Sequence, residues 1–171
     1  LRDSGLNPAF ANRVSQVAAR ISESRRLGAI AGATPLAAPV AVDYRTTSGY
    51  GQRIDPFNGR PTFHAGLDLA AFERAPVVAT SPGTVSFAGV RSGYGNVVEI
   101  DHGHGFKTRY AHLRDIQVQR GDRVAIGQRV GSMGSTGRST ATHLHYEVWF
   151  RGRAVDPVSF LRAGRHVHEQ G

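Results

Sequence analysis

The 171-residue chain predicts a mainly β fold: an antiparallel β-sheet, split into two sheets or curled into a half-barrel, preceded by a short amphipathic helix. Three observations carry this. From Tyr44 to about Leu161 the apolar runs are short and recur about every ten residues. Turn residues separate them, drawn from a total of 21 glycines. Helical periodicity is confined to the first 31 residues.

Residues 1–31 form the helical region. Asn7-Pro8 is a start signal, with Asn as N-cap and Pro at the first helical position, and Gly28 is a stop. Phe10, Val14, Val17, Ala18 and Ile21 recur at three- and four-residue spacing and make one apolar stripe. A lone helix of this length is marginal in water. The stripe is therefore expected to dock, either on the main domain or on a partner such as an upstream coiled coil or a regulatory protein. Residues 32–43 carry Pro35, Pro39 and small side chains without periodicity, which predicts an extended linker. The alternative is a segment lying across the active cleft.

The main domain is expected over 44–161. Val77-Val78-Ala79, Val85-Ser86-Phe87-Ala88, Val97-Val98-Glu99-Ile100 and Thr108-Arg109-Tyr110-Ala111 are its strands, and Val124, Val130 and Val148 continue the series. Asp101-His102-Gly103-His104-Gly105 predicts a hairpin turn, because its glycines can take positive φ. His102 and His104 beside that turn receive no catalytic role. Residues 162–171, with His166-Val167-His168 among Arg and Gly, predict a flexible solvated tail.

Three segments carry the chemistry. In the strand Thr142–Phe150, alternation puts His143, His145 and Glu147 on one face, and Leu144, Tyr146 and Val148 on the other. His64 and Asp68 stand four apart, but Gly66 between them argues for a turn into a strand rather than a helix. Zinc accepts imidazole nitrogen and carboxylate oxygen, and catalytic sites keep three protein ligands. His64, Asp68 and one of His143 or His145 would supply them. His112, in Tyr110-Ala111-His112-Leu113, is then a free histidine able to orient an attacking water or donate to an oxyanion. The helical His-Glu-x-x-His motif is absent, which excludes a zincin-type site.

Composition narrows the function classes. There is no cysteine, so neither a disulfide framework nor a thiolate metal site is possible. The formal charge of +8 comes almost wholly from arginine, Lys107 being the single lysine. The arginines are dispersed and no nucleic-acid motif is present, so nucleic acid is not an expected partner. No apolar stretch is long enough to span a membrane. Leu1 carries neither an initiator methionine nor a signal pattern, and the chain is expected to be a fragment of something longer.

Taken in order, the motifs resemble the LytM/lysostaphin-type zinc metallo-endopeptidases that cut peptidoglycan peptides. The matching stretches are Tyr50-Gly51-Gln52-Arg53-Ile54-Asp55-Pro56, His64-Ala65-Gly66-Leu67-Asp68, Gly93-Tyr94-Gly95-Asn96, Tyr110-Ala111-His112-Leu113, Gly131–Ser139 and His143-Leu144-His145-Tyr146-Glu147-Val148. The resemblance implies a LytM-type catalytic domain with His64, Asp68 and His145 as Zn²⁺ ligands. His112 and His143 become the unliganded catalytic pair, which handles protons and developing charge. It also implies peptidoglycan peptides as substrate, and hence a periplasmic or cell-envelope location. Arg74-Ala75-Pro76-Val77 and Ala141-Thr142 depart from the family's usual residues; they touch cleft shape, not the five site residues.

Two rivals remain. Pro82–Val85 and Val118–Gln128 look like biotinyl- or lipoyl-carrier half-barrels, but Lys107 lacks the flanking methionine a carrier needs. A non-catalytic LytM-type domain that activates another wall hydrolase is the stronger rival. Such domains usually lose site residues, whereas here all five are present.

Overall fold

The computed structural model describes residues 8–169, with side chains over 12–166. Asn7 and the side chains of Phe10, Val167 and His168 lie outside the described residues. The chain divides into two compact units at Gly32.

The first unit is helix α1 (Pro8–Ala33). It begins at the expected proline but runs past Gly28. A single interior glycine costs only about 1 kcal/mol, and no proline stops the chain until Pro35. Val14, Val17 and Ile21 of the predicted stripe are exposed. No helix among the described residues is long and apolar enough to cross a membrane.

The second unit carries β1 (Arg45–Ser48), β2 (Gly51–Ile54), β3 (Pro61–His64), β4 (Leu67–Ala70), β5 (Pro76–Val78), β6 (Gly83–Arg91), β7 (Gly95–Gly103), β8 (Phe106–Ile116), β9 (Arg123–Val124), β10 (Arg129–Met133), β11 (Leu144–Phe150), β12 (Arg153–Val155) and α2 (Pro157–Glu169). One open antiparallel sheet runs β1-β4-β11-β8-β7-β6-β9. The end of β8 leaves this path to pair with β10, which pairs in turn with β5. β2 and β3 form a separate hairpin. Residues 34–43 run beside β5: Val78 N–H donates to the Pro39 carbonyl and Ala41 N–H to the Pro76 carbonyl.

Alternation divides β11 as its sequence predicts. Leu144, Tyr146 and Val148 enter the core with Leu67, Leu69, Val98, Ile100 and Tyr110, while His145 and Glu147 face the other way. The β7–β8 hairpin turns at His104 (φ 51°) and Gly105 (φ 87°), the two positive φ values of a tight two-residue turn. Residues 162–169, expected as a loose tail, instead complete α2. Asp156 caps that helix by accepting from Val158 N–H at 3.0 Å, Pro157 opens it, and Leu161 is buried in the core.

Gly66 sets the approach of β3–β4 to β11. A Cβ at Gly66 would stand 2.4 Å from the Tyr146 carbonyl oxygen. Gly66→Ala is therefore expected to lower unfolding stability by about 1–3 kcal/mol in denaturant titration. An unchanged midpoint would contradict this packing account.

Candidate metal centre

Asp68 on β4 lies directly opposite His145 on β11 in the sheet register. His64 closes β3, and the turn at Ala65-Gly66 brings it back over the same point. His64 Nε2 lies 3.1 Å from Asp68 Oδ1 and 3.0 Å from His145 Nδ1, and His145 Nδ1 lies 2.9 Å from Asp68 Oδ1. All three residues are buried.

The outer atoms of the two rings decide what converges there. His64 Nδ1 sits 2.6 Å from the Gly49 carbonyl, and His145 Nε2 sits 2.9 Å from Glu147 Oε1. Both partners only accept, so each ring's proton is assigned to the outer nitrogen. The inner nitrogens then present lone pairs to one another and to a carboxylate. Three acceptors packed this closely need a cation or an added proton between them. Two imidazole nitrogens and a carboxylate oxygen, with their outer atoms hydrogen-bonded, suit a zinc ion that keeps an open position.

The electrostatics agree. Burial alone would raise the Asp68 carboxyl, but hydrogen bonds and charge from His145 and His64 hold it well below the usual carboxylate range. Burial alone would lower His145, yet hydrogen bonds to Asp68 and Glu147 raise it above the ordinary imidazole value. Proton and metal therefore compete for one place.

Arg53 and Glu147 hold this group from outside. Arg53 Nη1 donates to Asp68 Oδ2 at 3.0 Å and so leaves Oδ1 to face the histidines. Glu147 is fully buried and accepts from His145, from Tyr94 Oη at 3.0 Å, from Arg109 Nη1 at 2.8 Å and from Trp149 Nε1 at 2.5 Å. Arg109 also pairs with Glu99 at 2.7 Å, and Glu99 with Arg91 at 3.0 Å. A row of alternating charges thus runs across β11, β8, β7 and β6 behind the metal centre.

His112 reaches the cleft through a bulge. Tyr110 pairs with Val98 and Leu113 with Asn96, so Ala111 and His112 together oppose Val97 alone. His112 takes φ 59°, a conformation that costs about 1–2 kcal/mol for an L-residue. Its Nδ1–H donates to the Thr136 carbonyl at 2.8 Å, and Nε2 keeps the lone pair. That carbonyl is placed by the close approach of Gly95 and Gly137, where a Cβ at Gly137 would meet Gly95 N at 2.3 Å. Burial pushes His112 down to about 4, only partly offset by the Thr136 carbonyl. His143 precedes β11; its Nδ1–H donates to the Ala141 carbonyl at 2.8 Å, and its Nε2 lies 3.6 Å from Asp68 Oδ1. The His112 and His143 rings are 4.8 Å apart.

All five histidines and aspartates predicted for the site line one cleft of about 550 Å³. Arg138 bridges its mouth, paired with Asp55 at 2.9 Å and lying over the Phe57 ring. Arg53, Tyr94, Arg109 and the Thr136 carbonyl were given no role from sequence. Glu147 showed one signal, its place on the His145 face.

Residues 62–157 match the family model Peptidase family M23. The chain belongs to this family. The M23 chain is 44% identical over 115 residues to the DD-carboxypeptidase/endopeptidase Mpg of Neisseria meningitidis serogroup B, covering 67% of this chain and 26% of that protein. It is 34% identical over 132 residues to the murein hydrolase activator NlpD of Salmonella dublin, covering 77% of this chain and 34% of that protein. Among solved structures it resembles the catalytic domain of the antimicrobial peptidase lysostaphin from Staphylococcus simulans, with a TM-score of 0.64 and 36% identity, over 70% of this chain and 92% of that one. The chain thus spans well under half the length of these two curated relatives.

Glu147→Gln keeps an acceptor for His145 but loses its charge and leaves Arg109 short of a partner. It is expected to weaken zinc binding about 10–100-fold in chelator competition. Affinity within twofold of the parent would contradict a supporting role for Glu147.

Proposed function

We propose that this M23 domain is a zinc endopeptidase that hydrolyses peptide crosslinks of bacterial peptidoglycan, working in the periplasm or cell envelope. The observation that carries the reading is the convergence of His64 Nε2, Asp68 Oδ1 and His145 Nδ1 as three acceptors in an open cleft, with two further histidines beside them. In this reading His64, Asp68 and His145 hold the metal. Zinc bound there supplies Lewis acidity toward water and toward the scissile carbonyl.

The remaining steps belong to the chain's own groups. His112, held neutral by burial and with Nδ1–H fixed on Thr136, accepts a hydrogen bond at Nε2 from the attacking water and aligns it. His143 lies toward the cleft mouth, its side chain 15% accessible, and likewise presents Nε2. It takes the water's proton and, once protonated, donates Nε2–H to the oxyanion and then to the leaving amine. Their separation lets both rings reach one tetrahedral centre. Tyr94, Glu147 and Arg109 hold the His145 ring in place and do no proton transfer.

The second reading is an activator of another wall hydrolase, favoured by the 34% identity to the Salmonella activator. It does not require His112 or His143. A regulatory partner or upstream coiled coil acting through α1 fits either reading.

One experiment separates them: zinc content and release of crosslinked muropeptides measured on the same sample. The enzyme reading expects about one zinc per chain with cleavage. Asp68→Ala should lose both. His143→Ala should keep the metal and lose at least about 100-fold in rate. Bound zinc without any cleavage would favour the activator, and absence of zinc would overturn the ligand set.

Acidification has a definite sign. Ligand histidines must be neutral to bind metal, and the raised His145 value means protonation begins early as pH falls. His112 stays neutral until near its value of about 4 and adds no limb above it. Activity should decline from about pH 8 to about pH 5, and added zinc should shift the decline to lower pH. A flat profile over that range would contradict the assignment.

A further inference from the structure

Asp55 and Arg138 meet across the cleft from two stretches, residues 50–56 and 131–139, that contain neither a metal ligand nor a free histidine. Asp55 opens the turn that joins β2 to β3, and this turn holds itself. Asp55 N–H donates to the Arg60 carbonyl at 2.8 Å, Gly59 N–H to the Asp55 carbonyl at 2.9 Å, and Phe57 N–H to Asp55 Oδ1 at 2.8 Å. The same hairpin ends in His64. The Asp55 carboxylate, with its side chain 14% accessible, is thus a fixed point on the His64 wall of the cleft.

On the opposite wall, Arg138 Nη2 donates to both Asp55 oxygens, at 3.0 and 2.9 Å, and the guanidinium lies 4.5 Å over the Phe57 ring. Arg138 stands in the loop between Gly134 and His143, whose ends are joined by His143 N–H donating to the Gly134 carbonyl at 3.1 Å.

The two halves of this loop are anchored differently. Thr136 is tied inward: its hydroxyl donates to the Leu113 carbonyl at 2.7 Å and accepts from Asn96 N–H at 3.0 Å. The Arg138 backbone N–H adds a bond to the Gly93 carbonyl at 2.8 Å. The Thr136 carbonyl that holds His112 is therefore fixed without the Arg138 side chain. Beyond Arg138 there is no such tie. Ser135 donates to Ser139 Oγ at 3.0 Å, and Ser139 donates to the Ala141 carbonyl at 2.7 Å. That carbonyl also takes the His143 Nδ1–H at 2.8 Å. Every hydrogen bond of Ser139 and Ala141 among the described residues stays inside the loop. The Arg138 side chain is what fixes this half to the opposite wall.

We propose that the Asp55–Arg138 pair is a clamp that positions His143. It holds residues 139–142 against the hairpin of His64, and so fixes the Ala141 carbonyl that sets the tautomer and direction of the His143 ring. Asp55 and Arg138 are positioning residues; they touch neither the metal nor the reacting atoms. A half-exposed ion pair adds little to stability. Its effect lies in alignment, where a displacement of about 1 Å can cost about 100-fold in rate. The effect on rate rests on the proposed proton transfer by His143; the clamp itself does not.

The unequal anchoring of the two histidines provides the test. Zinc-loaded protein with ¹⁵N-labelled histidine should show His112 and His143 as Nδ1–H tautomers. Arg138→Gln and Asp55→Asn should each turn His143 into a mixture of tautomers and leave His112 unchanged. On crosslinked muropeptides each should lower kcat about tenfold, with KM and bound zinc unchanged. The double variant should cost no more than either single one, because both break the same contact. Arg138→Lys should keep most of the parent rate, since one nitrogen of Arg138 serves both oxygens.

His143 signals unmoved in both variants, equal disturbance of His112 and His143, or additive losses in the double variant would overturn the clamp. So would a raised KM in Arg138→Gln with Asp55→Asn at parent values, the result for an arginine that binds substrate. In a parent that cleaves nothing, selective disturbance of His143 would keep the clamp and remove the enzymatic reading. Cleavage with His143 unmoved would do the reverse.

Discussion

Three acceptor atoms held within 3.1 Å of one another are the constraint on which the rest of the structure turns. Lone pairs and a carboxylate at this distance repel unless a cation or a proton joins them. The fold supplies what keeps them together. Register sets Asp68 against His145, the Gly66 turn returns His64 over the pair, and two outer hydrogen bonds fix the tautomers. A one-residue slip of β11 against β4 would send His145 into the core and Leu144 into the cleft.

Behind the metal centre the sheet carries an unusual load. Glu147 is wholly buried, and Arg109 and Glu99 nearly so. Burying such charges costs several kcal/mol per ion, offset only when every lone pair and proton finds a partner. Here the charged groups do find partners, because Glu147, Arg109 and Glu99 stand opposite one another on β11, β8 and β7, and Arg91 reaches Glu99 from further along β6. Arg109 is further held between the rings of Tyr94 and Trp149. The row stiffens the second contact of His145. Removing one member leaves a neighbour's charge exposed to a low dielectric, so the row acts as a unit.

Much of this was legible in the sequence wherever one strand's alternation decides the outcome. The faces of β11 follow from period two alone, and Gly66 correctly argued against a helix joining His64 and Asp68. The β7–β8 turn followed from its glycines. Cross-strand partners were not legible, because register depends on pairing. The roles of Arg53 and Arg109 therefore do not show in the sequence, although one stands in a matching motif and the other in a predicted strand. His112 shows a subtler limit: strict alternation from Tyr110 would aim it into the core. The three-residue spacing of the buried Tyr110 and Leu113 marks the bulge only once both are known to be buried. At the C-terminus, a charged and histidine-rich composition hid a helix set by Asp156-Pro157 and anchored by Leu161.

X-ray absorption at the zinc edge of the loaded protein tests the central claim most directly. Two imidazole nitrogens and one monodentate carboxylate oxygen, completed by light solvent atoms, are the first shell this arrangement predicts. A shell with three or more imidazoles, or one built wholly from oxygen, would show that the metal sits elsewhere and that the three acceptors serve another purpose.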